Sequence, residues 1–188
     1  MTQHARVPLL SVADYLEGER HSEIRHEYVA GRVFAMVGGT LAHNRVALNI
    51  AAFLHRHLQG TLCSAYMSDV KVRIEAADAF YYPDVVVSCE PADLKDSFLK
   101  APVLVIEVLS PSTENVDRRE KLLNYQKLAS LREYVLVSPD EVRVEVFRRA
   151  GSAFGEVAIH GPEDTGVDLV SVDAAVPLAE IYAGVVAR

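Results

Sequence analysis

Two carboxylates placed inside short apolar segments carry the strongest chemical signal in this chain. Asp84 stands in Tyr82-Pro83-Asp84-Val85-Val86-Val87-Ser88, and Glu107 stands in Val103-Leu104-Val105-Ile106-Glu107-Val108-Leu109-Ser110. Both segments are rich in β-branched residues and bounded by Pro or Ser, which predicts two central strands. An ionised carboxylate buried in such a strand costs several kcal/mol unless a partner or a metal compensates it. If the two strands are neighbours, Asp84 and Glu107 converge on one hard cation, Mg²⁺ or Mn²⁺, which takes oxygen ligands. That pairing suits phosphodiester hydrolysis. Each residue also has an ordinary alternative: Asp84 follows a proline and could open a strand or close a turn, and Glu107 could be neutralised by a nearby Arg or Lys.

A third group follows on the next helix. Asp117, Lys121 and Tyr125 are spaced four apart and so share one face, and Leu128 continues that stripe toward the core. A lysine on a sheet-facing stripe needs a partner, which Glu107 or a bound phosphate would supply. The competing account is an intrahelical Asp117–Lys121 pair, worth only a few tenths of a kcal/mol. Glu27 and Asp69 are accessory candidates, against surface or local backbone roles. Tyr125 fits a core aromatic with a hydrogen-bonded hydroxyl as well as a site residue. His43 and Asn44 open a helix, where capping or packing suffices, and His55 and His57 fall on different helix faces, a poor metal pair.

These residues need a mixed frame to position them. Ser11-Val12-Ala13-Asp14 starts a short helix over about 12–17. Residues 25–36 fit two strands about a turn at Ala30-Gly31, and a helix follows over about 41–58, closed at Gly60. One strand is expected from Ser64 to Glu75, then the two carboxylate strands, separated by a polar loop holding Pro91, Asp93, Lys95 and Asp96. A Ser-Pro-Ser-Thr turn leads into a helix over about 114–128. Strands are expected at 133–138, 142–149 and 154–160, and the last segment, 178–186, is weakly helical. The alternation predicts an α/β fold with a mixed sheet.

Size and charge restrict the classes. The 188 residues suit a single domain (1–188), with a core over about 12–150 and a C-terminal extension over about 151–188. Half the chain is apolar, so it folds. No run approaches a membrane span, and residues 1–8 lack the apolar core of a signal peptide. Cys63 and Cys89 lack zinc spacing and are too few for a disulfide framework, so a reducing cytoplasm is the expected location. The net charge of −7 argues against a passive, tight nucleic-acid binder. It is compatible with an enzyme that makes few phosphate contacts and works through a cation. Exposed strands over 142–160 offer edges for pairing into a homodimer.

The ordered residues resemble the PD-(D/E)XK, restriction-endonuclease-like nucleases. Pro83-Asp84 matches the leading pair, and Glu107 matches the acid of the following strand. More narrowly, the chain resembles the bacterial Uma-type endonuclease family. That resemblance rests on His26-Glu27-Tyr28-Val29-Ala30-Gly31, Ala42-His43-Asn44, Ser68-Asp69, Pro83-Asp84-Val85, Glu107 to Thr113, and Asp117, Lys121 and Tyr125. It implies a restriction-endonuclease-like α/β fold, a mixed central sheet flanked by helices, and a metal-dependent cut in DNA, with Mg²⁺ or Mn²⁺ bound by Asp84, Glu107 and the Val108 carbonyl. One position departs from the pattern: the lysine expected two residues after Glu107 is Leu109. Lys121 is the substitute the resemblance implies. Two rivals stand beside the nuclease: a catalytically inactive nuclease fold serving as a nucleic-acid-binding or oligomerising module, and a hydrolase of small phosphorylated metabolites.

Overall fold

A computed structural model describes residues 9–185. The N-terminal residues 1–8 and the final expected helical position, Val186, lie outside the described residues.

Two sheets meet face to face, and the chain crosses repeatedly between them. The six-stranded sheet runs β11-β10-β9-β8-β6-β3, built from β3 (Ser64–Met67), β6 (Val85–Ser88), β8 (Pro102–Val108), β9 (Glu133–Val137), β10 (Val144–Ala150) and β11 (Ala153–His160). It is mixed: β8 and β9 run parallel, and the other neighbours run antiparallel. The five-stranded sheet runs β2-β1-β5-β4-β7, from β1 (His26–Val29), β2 (Arg32–Ala35), β4 (Lys71–Ile74), β5 (Ala79–Tyr81) and β7 (Phe98–Leu99). A small third sheet pairs β12 (Gly166–Leu169) with β13 (Ala174–Pro177).

Strand periodicity assigns the faces. In β8, Leu104, Ile106 and Val108 enter one core with α2 (Leu41–His57), β12, β13 and α5 (Leu178–Ile181), while Val105 and the following Leu109 enter the other. Glu107 shares the parity of Val105 and Leu109, so it points between the two large sheets. Val86 of β6 points the same way and Val85 and Val87 the opposite way, which puts Asp84 on the side of Glu107. The far face of the five-stranded sheet closes on α1 (Val12–His21) through Tyr15, Tyr28 and Phe80.

Several local expectations change. The Ser64-to-Glu75 strand is two strands in two sheets, because the chain turns at Ser68, whose φ is +48°. The polar loop contains the short β7, which extends the second sheet by parallel pairing with β4. α1 runs one turn past the expected end, to His21. Leu58 caps α2, with Gly60 in the left-handed region just beyond. The tail is only briefly helical, at α5. Cys63 and Cys89 are joined as a disulfide. Their number gave no hint of this, but Ser64 pairs with Ser88, so their outer neighbours face each other across β3 and β6.

Candidate active site

The cleft opens where the chain passes from the second sheet to the first. Asp84 is set there by Tyr81, which ends β5, and Val85, which begins β6. Val85 pairs with Ile106, so Asp84 and Glu107 sit at neighbouring register positions on adjacent antiparallel strands. The Val108 backbone N–H donates to Asp84 Oδ2 at 2.7 Å, which fixes the side chain over the end of β8.

The helix opposite supplies the cation. It is made of α3 (Glu114–Val116), a π-helical turn over Asp117–Lys121, and α4 (Leu122–Tyr125). The wider π-turn keeps both of its ends, Asp117 and Lys121, buried against the sheet. Lys121 Nζ lies 2.9 Å from Glu27 Oε1, 3.1 Å from Asp117 Oδ1 and 3.2 Å from Glu107 Oε1. The two sequence-based accounts of Lys121, intrahelical pair and Glu107 partner, therefore hold together. Tyr125 donates to the same Glu107 oxygen at 3.4 Å, and the Tyr81 ring lies 5.5 Å from the ammonium. The Tyr82 N–H donates to Glu27 Oε1 at 3.3 Å, so Glu27 is steered by the residue two before Asp84.

The electrostatics follow from one imbalance: Glu27, Glu107 and Asp117 surround a single ammonium, with Asp84 beside Glu107 on the adjacent strand. Burial pushes the Glu107 carboxyl well above the usual carboxylate range; Lys121 opposes this, and Asp117, Asp84 and Glu27 add to it. Burial also disfavours the Lys121 charge, but Glu107, Glu27 and Asp117 outweigh it, so the ammonium is held well above 10.5. Burial, then the charge of Glu107, raises the Tyr125 phenol, so it stays a neutral donor. Asp117 Oδ1 is buried, and its contact with Lys121 is not directed as a hydrogen bond. It has no other partner among the described residues.

This donor set fits a hard divalent cation. Among the described residues, the contacts to Asp84 fall on Oδ2 and those to Glu107 fall on Oε1, so one oxygen of each remains without a protein donor. No cluster of three His, Cys, Asp or Glu side chains among them is set to hold a metal. Two carboxylates completed by backbone oxygen and water match the habit of Mg²⁺, which binds through one or two carboxylates and keeps several waters.

The structure brings together Asp84, Glu107, Val108, Lys121, Glu27 and Tyr125. All but Tyr125 line a cleft of about 250 Å³; Tyr125 sits beneath it, fully buried. Asp69 stands apart, largely exposed and paired with Arg25 at 3.2 Å. Two residues given lesser roles from sequence belong here. Asp117 completes the carboxylate ring. His43, on the first turn of α2, places Nε2 3.4 Å from Asp84 Oδ2. The hydrogen bond to Asp84 holds its imidazole above 6.5, against burial. Gly39 makes room for that ring: a Cβ there would stand 2.7 Å from His43 Nδ1. From sequence, His43 stood only at the opening of a helix and within the Ala42-His43-Asn44 match, neither of which reveals what the ring faces.

Known proteins place the chain in context. A protein of Synechocystis sp., "Uncharacterized protein slr1290", is 37% identical over 146 residues, covering 77% of each chain. A second from the same organism, "Uncharacterized protein sll1609", is 29% identical over 150 residues, covering 78% of this chain and 85% of its own. A crystal structure from Anabaena variabilis, of a "putative nuclease belonging to DUF820", superposes with a TM-score of 0.76 at 18% identity, covering 92% of this chain and 97% of the other. At that identity the likeness speaks for the fold, the restriction-endonuclease-like mixed α/β arrangement. Residues 12–179 match a single family, which takes in both sheets and every residue of the cleft, and the chain belongs to it: the Uma2 family, described as "Putative restriction endonuclease".

Proposed function

We propose that the chain is a divalent-metal-dependent endodeoxyribonuclease, with Mg²⁺ or Mn²⁺ held by Asp84, Glu107 and the Val108 backbone carbonyl. The observation that carries this is three carboxylates gathered around one ammonium, with a fourth, Asp84, on the strand beside Glu107, all lining one cleft. Such an excess of acid is costly without a second cation. When bound, a divalent ion polarises a phosphoryl oxygen and lowers the pKa of its water.

The protein groups have separable tasks. The Val108 N–H and His43 fix one oxygen of Asp84 and leave the other for the ion. Lys121 and Tyr125 do the same for Glu107. Lys121 stays charged beside the place a scissile phosphate must occupy, where it stabilises charge developing on phosphoryl oxygens. It thereby supplies from the helix what Leu109 lacks on the strand.

A specific observation favours a second reading. Lys121 is 5% exposed and engaged by three carboxylates, which suits a structural clamp in an inactive nuclease fold that binds nucleic acid or another copy. Cleavage of supercoiled plasmid with Mg²⁺ or Mn²⁺ separates the two. The nuclease is expected to nick wild-type substrate only with metal, and Asp84→Ala and Glu107→Gln are expected to abolish nicking while melting cooperatively. Wild-type protein that binds neither metal nor plasmid, or variants whose inactivity tracks a lost melting transition, would remove the proposal.

A further inference from the structure

The carboxylate floor occupies only part of the cleft; the outer wall is apolar and exposed. β2 is the edge strand of its sheet, and all four of its residues are exposed. Phe34 is 51% exposed, Met36 38% and Val37 73%, and all three line the same cleft as Asp84 and Glu107. Register explains why Phe34 looks inward. Phe34 pairs directly with Glu27 across the β1–β2 hairpin, so both side chains rise from the same face of the sheet, and Glu27 reaches Lys121.

The cations tell the complementary story. Among the residues lining the cleft, only Lys121 and His43 can carry positive charge, and both already contact carboxylates. Duplex DNA is held chiefly through phosphates on Lys and Arg, and this cleft offers no free one. A strand with unpaired bases has another source of affinity, stacking on aromatic and apolar side chains, which every base can use.

We infer that the cleft takes an unpaired nucleotide of single-stranded or flapped DNA, with the base beside the scissile phosphate seated on Phe34 and bordered by Met36 and Val37. This rests on the nuclease reading for the phosphate's position but concerns a different wall. The base supplies the contact that the acidic floor denies to a phosphate track. Substrate form is therefore selected at the rim, before the backbone reaches the carboxylates. A second copy of the chain covering the same strand is the competing occupant.

The test is binding without turnover. Fluorescence anisotropy of a labelled DNA strand and of the same sequence as duplex is measured with Glu107→Gln, alone and combined with Phe34→Ala or Phe34→Tyr, with sedimentation at the same concentrations. The expected result is tighter binding of the single strand, a loss of roughly tenfold with Phe34→Ala, the size of one stacking contact, and retention with Phe34→Tyr. Phe34 is half exposed, so its removal leaves the fold intact. Equal binding of both forms, no binding of either, an unchanged Phe34→Ala, or a dimer that Phe34→Ala dissociates would each overturn the inference. The plasmid assay fails separately: metal-dependent nicking with no strand preference keeps the nuclease and removes the base site. Phe34-dependent strand binding without nicking does the reverse.

Discussion

Two strands of the six-stranded sheet, β8 and β10 on either side of β9, each bury a glutamate that the same sequence rule would single out, and the structure treats them oppositely. On β10, Glu145 meets two guanidiniums: Arg118 Nη1 at 2.7 Å and Arg143 Nε at 2.8 Å. On β8, Glu107 meets one ammonium shared with Glu27 and Asp117. Two guanidiniums serve Glu145 and Glu114 in the first place, whereas one ammonium serves three carboxylates in the second. Glu133 on β9 behaves like Glu145, held by Arg148 at 3.0 Å and by the Ser171 N–H and hydroxyl. A buried carboxylate is thus no site by itself; a local excess of carboxylate, left open to a cleft, is what calls for a cation.

The largest effects should come from removing the central cations. Lys121→Met leaves three carboxylates in and around the core without their shared cation, and about 3–5 kcal/mol of stability should be lost at neutral pH. Arg118→Met leaves Glu145 with Arg143 and should cost about 1 kcal/mol. Chemical denaturation of both variants checks this contrast. Equal losses would mean that the Lys121 cluster is no more dependent on its charge than a peripheral pair.

Metal addition sharpens the comparison next. At a hundredfold excess over its dissociation constant, Mn²⁺ should stabilise the wild-type protein by about 2.7 kcal/mol, a rise of several degrees in Tm for a chain of this size. Glu145→Gln should keep that rise and Glu107→Gln should lose it. A rise retained in Glu107→Gln would place the ion elsewhere.

Acid probes the arginine side alone and gives the smallest effect. Burial raises the Glu145 carboxyl, but Arg118 and Arg143 outweigh it and hold it below 4.5. Its contribution is therefore present above about pH 4.5 and lost as pH falls through the lower folded value. The stability gap between wild type and Glu145→Gln should be full at neutral pH and close in acid. A gap that widens in acid would reverse the assignment.

Much of the site was legible because strand and helix periods are local. Alternation along 103–109 determines which way Glu107 points once one face of the strand is known, and four-residue spacing puts Asp117, Lys121 and Tyr125 on one stripe. The order of carboxylates, helix and lysine likewise carried the family resemblance, and the family match agrees with it. Periodicity was silent on sheet membership. Nothing between Ser64 and Glu75 announces that β3 and β4 lie in different sheets, since both halves read equally well as strand. It was silent too on Glu133 and Glu145, which share the type and burial of Glu107.

By itself, then, the amino-acid sequence determined the strands, the helix face and the chemical kind of each candidate, because propensity and period depend on residues a few positions apart. Only the tertiary structure decided the company each charge keeps. Glu27 and Lys121 meet across the join of two sheets, His43 comes to Asp84 from another helix, and Phe34 comes to the same cleft by hairpin register. Charge energies depend on distance and burial. Those are properties of the packed chain, which the order of its residues does not display.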